Sequence, residues 1–112
     1  MCTQNEAVVI LREVYEGCQK IFGDIKEAYL YGSYARGDYH EESDVDILLT
    51  VDHPQSVISK HRMDVAYLSS ELSLKHDITV SISVKPAEQF ERLKTVLSFY
   101  QSVVREGIRY AS

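Results

Sequence analysis

The chain has 112 residues, 45% of them hydrophobic, and a formal net charge of −5. This length supports one hydrophobic core, so we expect a single domain over residues 1–112, and the acidic balance argues against binding long DNA or RNA, which requires basic surface. The chain has no apolar run of the roughly 20 residues that span a bilayer and no basic stretch followed by an apolar run, so we expect a soluble cytoplasmic protein without membrane contact.

An amphipathic helix is predicted near the amino terminus. Thr3 and Glu6 have the spacing of a capping box, and Gly23 is typical of the residue that ends a helix. Between them, hydrophobic residues recur at helical spacing: Ala7, Ile10, Leu11, Val14, Cys18, Ile21 and Phe22. The helix therefore presents one apolar face.

A strand over residues 25–31 is predicted to lead into the pair Gly32-Ser33. Glycine lets the backbone approach a phosphate closely, and the Ser33 hydroxyl and the amides that follow can donate hydrogen bonds to it. Arg36 adds a permanent positive charge on the same turn. We therefore identify Gly32, Ser33 and Arg36 as candidate residues for binding the phosphates of a nucleotide.

Two aspartates follow Ser33 after a spacer of ten residues, at the start of a predicted second strand that ends near Val51. Side chains alternate along a strand, so Asp44 and Asp46 point to the same side and converge on one spot. Each charge disfavours the other unless a cation is bound, and oxygen ligands favour Mg²⁺ or Mn²⁺ over zinc. The pair is therefore a candidate metal site.

The second half of the chain predicts two helical regions around a third strand. One helix follows Pro54 and ends near Leu74, with a packing face formed by Val57, His61, Val65, Leu68 and Leu72. Residues 77–84 alternate as a strand does, and Pro86 starts a new turn or helix. A last amphipathic helix ends at Gly107 and has an apolar stripe formed by Val96, Phe99, Tyr100, Val103 and Val104.

The segment from Leu30 to Leu49, with its Gly-Ser pair and its Asp-Val-Asp triplet, resembles the minimal nucleotidyltransferases of the polymerase beta-like superfamily. The chain departs from the superfamily pattern nowhere in this core stretch, and the resemblance extends along all its residues. It implies an α/β (α+β) nucleotidyltransferase fold, a small mixed β-sheet with flanking helices. It also implies Mg²⁺-dependent transfer of a nucleoside monophosphate, with ATP as the expected substrate.

In this family a third acidic residue lies on a later strand, and the best candidate is Asp77, at the start of the third strand. The resemblance implies that Asp44, Asp46 and Asp77 are the catalytic residues and metal ligands. Asp64 and Asp52 compete for the third position, but neither is on a predicted strand that would direct its side chain.

The resemblance also suggests a partner, because we expect this single domain to carry none of the acceptor-binding domains of its larger relatives. Family members of this size are typically encoded beside a HEPN-domain toxin and transfer AMP to a toxin tyrosine, acting as antitoxins. Two alternatives stay open: a non-catalytic antitoxin that neutralises its partner by stoichiometric contact, and transfer of a nucleotide to a small molecule such as an aminoglycoside. One of Tyr31, Tyr34 and Tyr39 could stack on the adenine ring.

Overall fold

A four-stranded mixed β-sheet forms the centre of the computed structural model, which describes residues 2–110. The strands are β1 (Ile25–Tyr31), β2 (Val45–Val51), β3 (Val80–Pro86) and β4 (Ile108–Arg109). The helices are α1 (Gln4–Phe22), α2 (Ser33–Arg36), α3 (Gln55–Lys60), α4 (Arg62–His76), α5 (Ala87–Leu93) and α6 (Ser98–Glu106). Within this part of the chain, no helix is both long enough and apolar enough to cross a lipid bilayer.

The strand order is β3-β2-β1-β4. β1 is antiparallel to β2 and β4, whereas β2 and β3 are parallel and are connected through α3 and α4. In this register Asp46 lies opposite Tyr31 on one side and Ser81 on the other. The mixed sheet with its flanking helices confirms the predicted fold class.

Both faces of the sheet are covered, and β2 is buried between the two layers. On one face, Ile47 and Leu49 pack with α1 and α4 in the larger core. On the other, Leu48 packs against Phe90 of α5 and Tyr100 of α6 in a smaller cluster. Because a buried aliphatic side chain contributes roughly 1.5–3 kcal/mol, β2 is the most firmly held strand and a rigid support for its first residues.

The first third of the chain folds as predicted. α1 ends at Gly23, and the Thr3 hydroxyl accepts a hydrogen bond from the Glu6 amide at 3.2 Å, as an N-cap residue does. β1 covers residues 25–31, and the Gly-Ser pair leads into the short helix α2. The local signals were sufficient here because α1 buries one continuous face and glycines mark the ends of α1 and β1.

The second half requires three corrections. The helix predicted from Pro54 to Leu74 is two helices, with a break at His61, which ends α3 and precedes α4. β3 begins at Val80 and not at Asp77, because α4 continues to His76 and Asp77 ends it in the left-handed conformation with a φ of 53°. Of the predicted stripe on the last helix, only Tyr100 and Val103 are buried, whereas Val96, Phe99 and Val104 are exposed.

The short strand β4 was not predicted. It consists of only Ile108 and Arg109, which pair with Leu30 and Tyr29 of β1. Two residues are too few to produce an alternating pattern, so the sequence carries no periodic signal for this strand.

Two serines of α4 bind the backbone of the edge strand β3. The Ser69 hydroxyl donates to the Val80 carbonyl oxygen at 2.5 Å, and the Val80 amide donates to the Ser73 hydroxyl oxygen at 2.9 Å. Unpaired backbone groups at a sheet edge are a liability, and here the preceding helix satisfies both backbone groups of Val80. These bonds fix the start of β3 beside the start of β2.

We expect Ser73→Ala to lower the free energy of unfolding by about 1–3 kcal/mol, because the amide of Val80, which is 2% exposed, loses its partner. Ser70→Ala, at an exposed position of the same helix, should change it by less than about 0.5 kcal/mol. Urea denaturation measures both. Equal stability of the two variants would show that Ser73 does not anchor β3.

Candidate active site

The turn between β1 and α2 requires glycine at position 32. Gly32 has a φ of 77° and a ψ of −155°, a conformation that side chains strongly disfavour. A Cβ atom built there would lie 2.8 Å from Oδ2 of Asp46, which is closer than real Cβ contacts. Glycine therefore allows both the turn and the close approach of the Asp46 carboxylate to the backbone.

Ser33 begins α2 directly after this turn. The carbonyl oxygen of Gly32 accepts hydrogen bonds from the amides of Ala35 and Arg36, both at 3.1 Å, and α2 ends at Gly37 in the left-handed conformation. The amides of the first residues of a helix have no partner within the helix, so those of Ser33 and Tyr34 are available to a bound group. The turn can therefore offer the Ser33 hydroxyl and backbone amides to a phosphate.

Tyr34 and Tyr39 form a stacked pair next to this turn. Tyr34 is fully buried and its ring stacks on that of Tyr39, with centroids 4.4 Å apart and an interplanar angle of 13°. Gln4 of α1 donates a hydrogen bond from Nε2 to the Tyr34 carbonyl oxygen at 2.9 Å. Tyr34 is therefore not available to an adenine ring, and a stacking role of Tyr31 or Tyr39 stays a prediction.

Asp44 and Asp46 lie at the start of β2, close to the Gly32 turn. Asp44 is exposed and directly precedes the strand, whose first amide, that of Val45, donates to the Thr79 carbonyl oxygen at 2.9 Å. Asp46 is half-buried. Burial raises the pKa of the Asp46 carboxyl, and the nearby charge of Asp44 raises it further. Asp44 is therefore close enough to destabilise the charged form of Asp46.

The charge of these aspartates is not neutralised by the protein. Within residues 2–110, neither Asp44 nor Asp46 takes part in an ion pair. The pKa of the Tyr31 hydroxyl is also raised, mainly by burial and then by the charge of Asp46. Crowded, unpaired carboxylate oxygens are the ligands that hard divalent cations prefer, so the donor set fits Mg²⁺ or Mn²⁺.

Arg36 lies near the turn but is held by acidic neighbours. Its guanidinium contacts the Asp38 carboxylate at 3.2 Å and that of Glu106 at 3.7 Å, and its side chain is 44% exposed. Exposed ion pairs of this kind contribute little to stability, so a triphosphate of higher charge could displace them. Arg36 therefore stays a candidate ligand of a phosphate. To bind one, it would first have to release Asp38 and Glu106.

Asp77 is not brought together with the other two aspartates in the way the sequence suggested. It lies at the end of α4, where it lines the same cavity as Asp44, and the β3 residue in register with Asp46 is Ser81. Among residues 2–110, no group of three or more His, Cys, Asp or Glu residues is arranged to hold a metal ion. A role of Asp77 as third ligand therefore stays a prediction.

Ser81 was not identified from the sequence. Its place beside Asp46 depends on the parallel register of β2 and β3, and the residues of β3 alone give no indication of that register. Of the strand predicted over residues 77–84, residues 80–84 belong to β3, and only the pairing with β2 shows which polar residue lies next to a carboxylate.

The comparison with known families agrees with this geometry. The model of the family described as "Nucleotidyltransferase domain" matches residues 11–110. The chain belongs to this family. The resemblance inferred from the Gly-Ser and Asp-Val-Asp motifs is thereby confirmed.

Two similar proteins and a solved structure illustrate this membership. A Methanocaldococcus jannaschii protein provisionally named a protein adenylyltransferase is 38% identical over 106 residues, which cover 92% of this chain and 95% of that protein. The protein adenylyltransferase MntA of Thermococcus cleftensis is 33% identical over 85 residues, covering 76% of this chain and 84% of MntA. A crystal structure of a toxin-antitoxin with AMP-PNP has the same fold, with a TM-score of 0.60 at 20% identity, covering 99% of this chain and 75% of that one.

We expect Gly32→Ala to destabilise the protein more than Gly23→Ala does. Both glycines have a positive φ and an extended ψ, so each alanine incurs backbone strain of about 1–3 kcal/mol. A Cβ at position 23 meets nothing within 4 Å, whereas one at position 32 meets Asp46. Urea denaturation measures the difference between the variants, and equal losses would show that the approach of Asp46 to the turn is not tight.

Asp46→Asn should raise the free energy of unfolding at neutral pH in metal-free buffer. The folded state raises the Asp46 pKa, so it binds this proton more tightly than the unfolded chain does, and ionised Asp46 destabilises the fold. The advantage of the variant should shrink as the pH falls through the raised pKa towards the ordinary value near 4, where the wild-type carboxyl becomes protonated. Denaturation at several pH values tests this, and a variant less stable at neutral pH would contradict it.

Proposed function

We propose that this protein is a Mg²⁺-dependent protein adenylyltransferase that transfers AMP from ATP to a tyrosine of a HEPN-type toxin and thereby acts as its antitoxin. The observation that carries the proposal is that Asp44 and Asp46, at the start of the buried strand β2, have no ion-pair partner within residues 2–110, and that the Asp46 carboxylate lies against the Gly32-Ser33 turn. A phosphate-binding turn and two unneutralised carboxylates at one place match the charges of a nucleoside triphosphate with its cation.

Each residue of the site has its own role in the proposed reaction. Asp44 and Asp46 would hold the divalent cation, which supplies neutralisation of the triphosphate charge when bound. Gly32 and Ser33 would bind the leaving phosphates through backbone amides and the serine hydroxyl, with Arg36 adding charge after it leaves its acidic partners. The acceptor oxygen forms a bond to the α-phosphorus, the bond to pyrophosphate breaks, and the hydroxyl proton leaves.

The role proposed for Asp77 is that of a third carboxylate, which would help to take up the proton of the attacking hydroxyl. Its position in the cavity that Asp44 also lines is consistent with this role. Asp77 lies at the end of α4, so its carboxylate would approach the acceptor hydroxyl from this helix and not from the sheet.

Two observations support a protein as acceptor. The relatives that cover most of this chain carry the name protein adenylyltransferase, although it is provisional for the M. jannaschii protein. The net charge of −5 suits a basic protein surface and disfavours nucleic acid as the acceptor.

The proposal predicts that purified protein with Mg²⁺ and α-labelled ATP labels the product of the neighbouring gene, because the site transfers the α-phosphoryl group. Asp44→Asn/Asp46→Asn should reduce the labelling by orders of magnitude while the protein stays folded. The matched control is Asp24→Asn/Asp52→Asn, which removes two exposed carboxylates outside the site and should label normally.

The same experiment separates the proposal from its main alternative. Neutralisation of the partner without any label on it, and equally by the Asp44→Asn/Asp46→Asn variant, would mean that the protein acts by stoichiometric binding. Label on a small molecule such as an aminoglycoside, with none on the partner, would contradict a protein acceptor.

A further inference from the structure

The outer edge of β3 is open along its middle. β3 is the last strand in the order β3-β2-β1-β4, so β2 pairs with only one of its sides. The Val45 amide donates to the Thr79 carbonyl oxygen, so the backbone groups of alternate residues from Val80 onward, namely Val80, Ile82 and Val84, point outward. Serines of α4 bind those of Val80, whereas within residues 2–110 no hydrogen bond reaches Ile82 or Val84 from outside the sheet. These two residues therefore present free amides and carbonyl oxygens at the edge.

The composition and length of β3 leave this edge suited to pairing. Edge strands are usually short, bulged or charged, which prevents them from pairing with other chains. The opposite edge follows this rule, because β4 has only two residues. β3 has seven residues, its register with β2 is regular, and it carries no charged side chain from Val80 to Val84. The edge formed by β3 therefore favours the addition of a further strand.

A cavity of about 470 Å³ lies along the face of this edge that α3 and α4 cover. Ile82 and Val84 line it together with Ile58 of α3 and Val65 of α4. Both β3 residues are only half-buried, whereas the β2 residues in register with them are fully buried. Opposite residues of an antiparallel pair project to the same face, so an added strand would place apolar side chains in this cavity.

We propose that a second copy of this chain covers the edge, with the two β3 strands antiparallel about a two-fold axis at Ser83. In this register Ile82 of each copy lies opposite Val84 of the other, and the free backbone groups of both residues are all paired. Val80, whose groups α4 already binds, lies opposite Pro86, which has no amide to pair. The two-fold symmetry closes the assembly at two copies.

The side chains of β3 match those of a second β3 strand at each position. On the face of the cavity, Ile82 and Val84 meet each other, so branched apolar side chains lie opposite branched apolar side chains. On the other face, Ser83 lies opposite Ser83 of the second copy, and such hydroxyl pairs hydrogen-bond across strands. Lys85 of the second copy lies opposite Ser81, which is in register with Asp46. This match at every position favours a second copy over a strand of an unrelated protein.

Lys85 adds charge complementarity to this pairing. Within residues 2–110, Lys85 forms no ion pair, and neither does Asp46. Neighbouring strands are about 4.8 Å apart, so Lys85 of the second copy would lie two strands, roughly 10 Å between Cα atoms, from Asp46. A lysine side chain covers most of this distance. Each copy would therefore bring a positive charge towards the acidic start of β2 in the other copy.

Disulfide cross-linking tests the register directly. Ser83→Cys, made together with Cys2→Ser and Cys18→Ala, should place the thiols of the two copies opposite each other, at a Cα separation of about 4.5 Å that suits a disulfide. We expect oxidation with copper phenanthroline to convert most of this variant into a covalent dimer. Ser81→Cys in the same background is the matched control, because its counterpart in the second copy lies four residues away along the strand, about 13 Å. Equal cross-linking of both variants, or none of Ser83→Cys, would overturn the inference.

Sedimentation equilibrium tests the association without a cross-link. The unmodified chain should form a dimer that dissociates on dilution. Val84→Pro removes an outward amide and leaves the bonds to β2 in place, so it should raise the dissociation constant at least tenfold while circular dichroism shows a folded protein. Lys85→Gln should also raise it, whereas Lys26→Gln, the same charge loss at an exposed position of β1, should not. An unmodified chain that stays monomeric at every concentration, or that pairs at this edge only with a strand of another protein, would overturn the inference.

Discussion

Two negative charges at the start of β2 impose the main constraint on this molecule, because no cation within residues 2–110 pairs with them. Asp46 is half-buried, and its carboxylate approaches the backbone of Gly32 so closely that a Cβ there would collide with it. Burial and then the charge of Asp44 raise the pKa of the Asp46 carboxyl, so holding it ionised in the fold costs free energy. Such a loss of folding stability is typical of functional sites, where a bound ligand supplies the opposite charge.

The rest of the fold makes this arrangement possible. β2 is covered on both faces, so its buried residues keep the strand in place despite the repulsion at its first residues. β3 is held beside it by Ser69 and Ser73 of α4, and the glycine turn is held by the stacked pair Tyr34 and Tyr39. The packing therefore stabilises a local charge arrangement that would be unfavourable on a mobile loop.

The sequence predicted the elements that have a complete local pattern. α1, β1 and the Gly-Ser turn were predicted within one or two residues, because their spacing, caps and glycine requirement are encoded locally. The sequence was less informative at positions whose conformation or neighbours depend on tertiary contacts. Asp77 continues the alternation of residues 78–84, yet its left-handed conformation ends α4, and Ser81 lies beside Asp46 only because β2 and β3 pair in parallel.

The most direct test of the account is the pKa of Asp46, measured by NMR titration of the carboxyl carbon with and without Mg²⁺. The account predicts a value above that of an ordinary aspartate in metal-free buffer and a marked fall when Mg²⁺ is added, because the cation stabilises the charged form. An ordinary value in metal-free buffer, or one that Mg²⁺ leaves unchanged, would contradict the claim that Asp44 and Asp46 form a metal site.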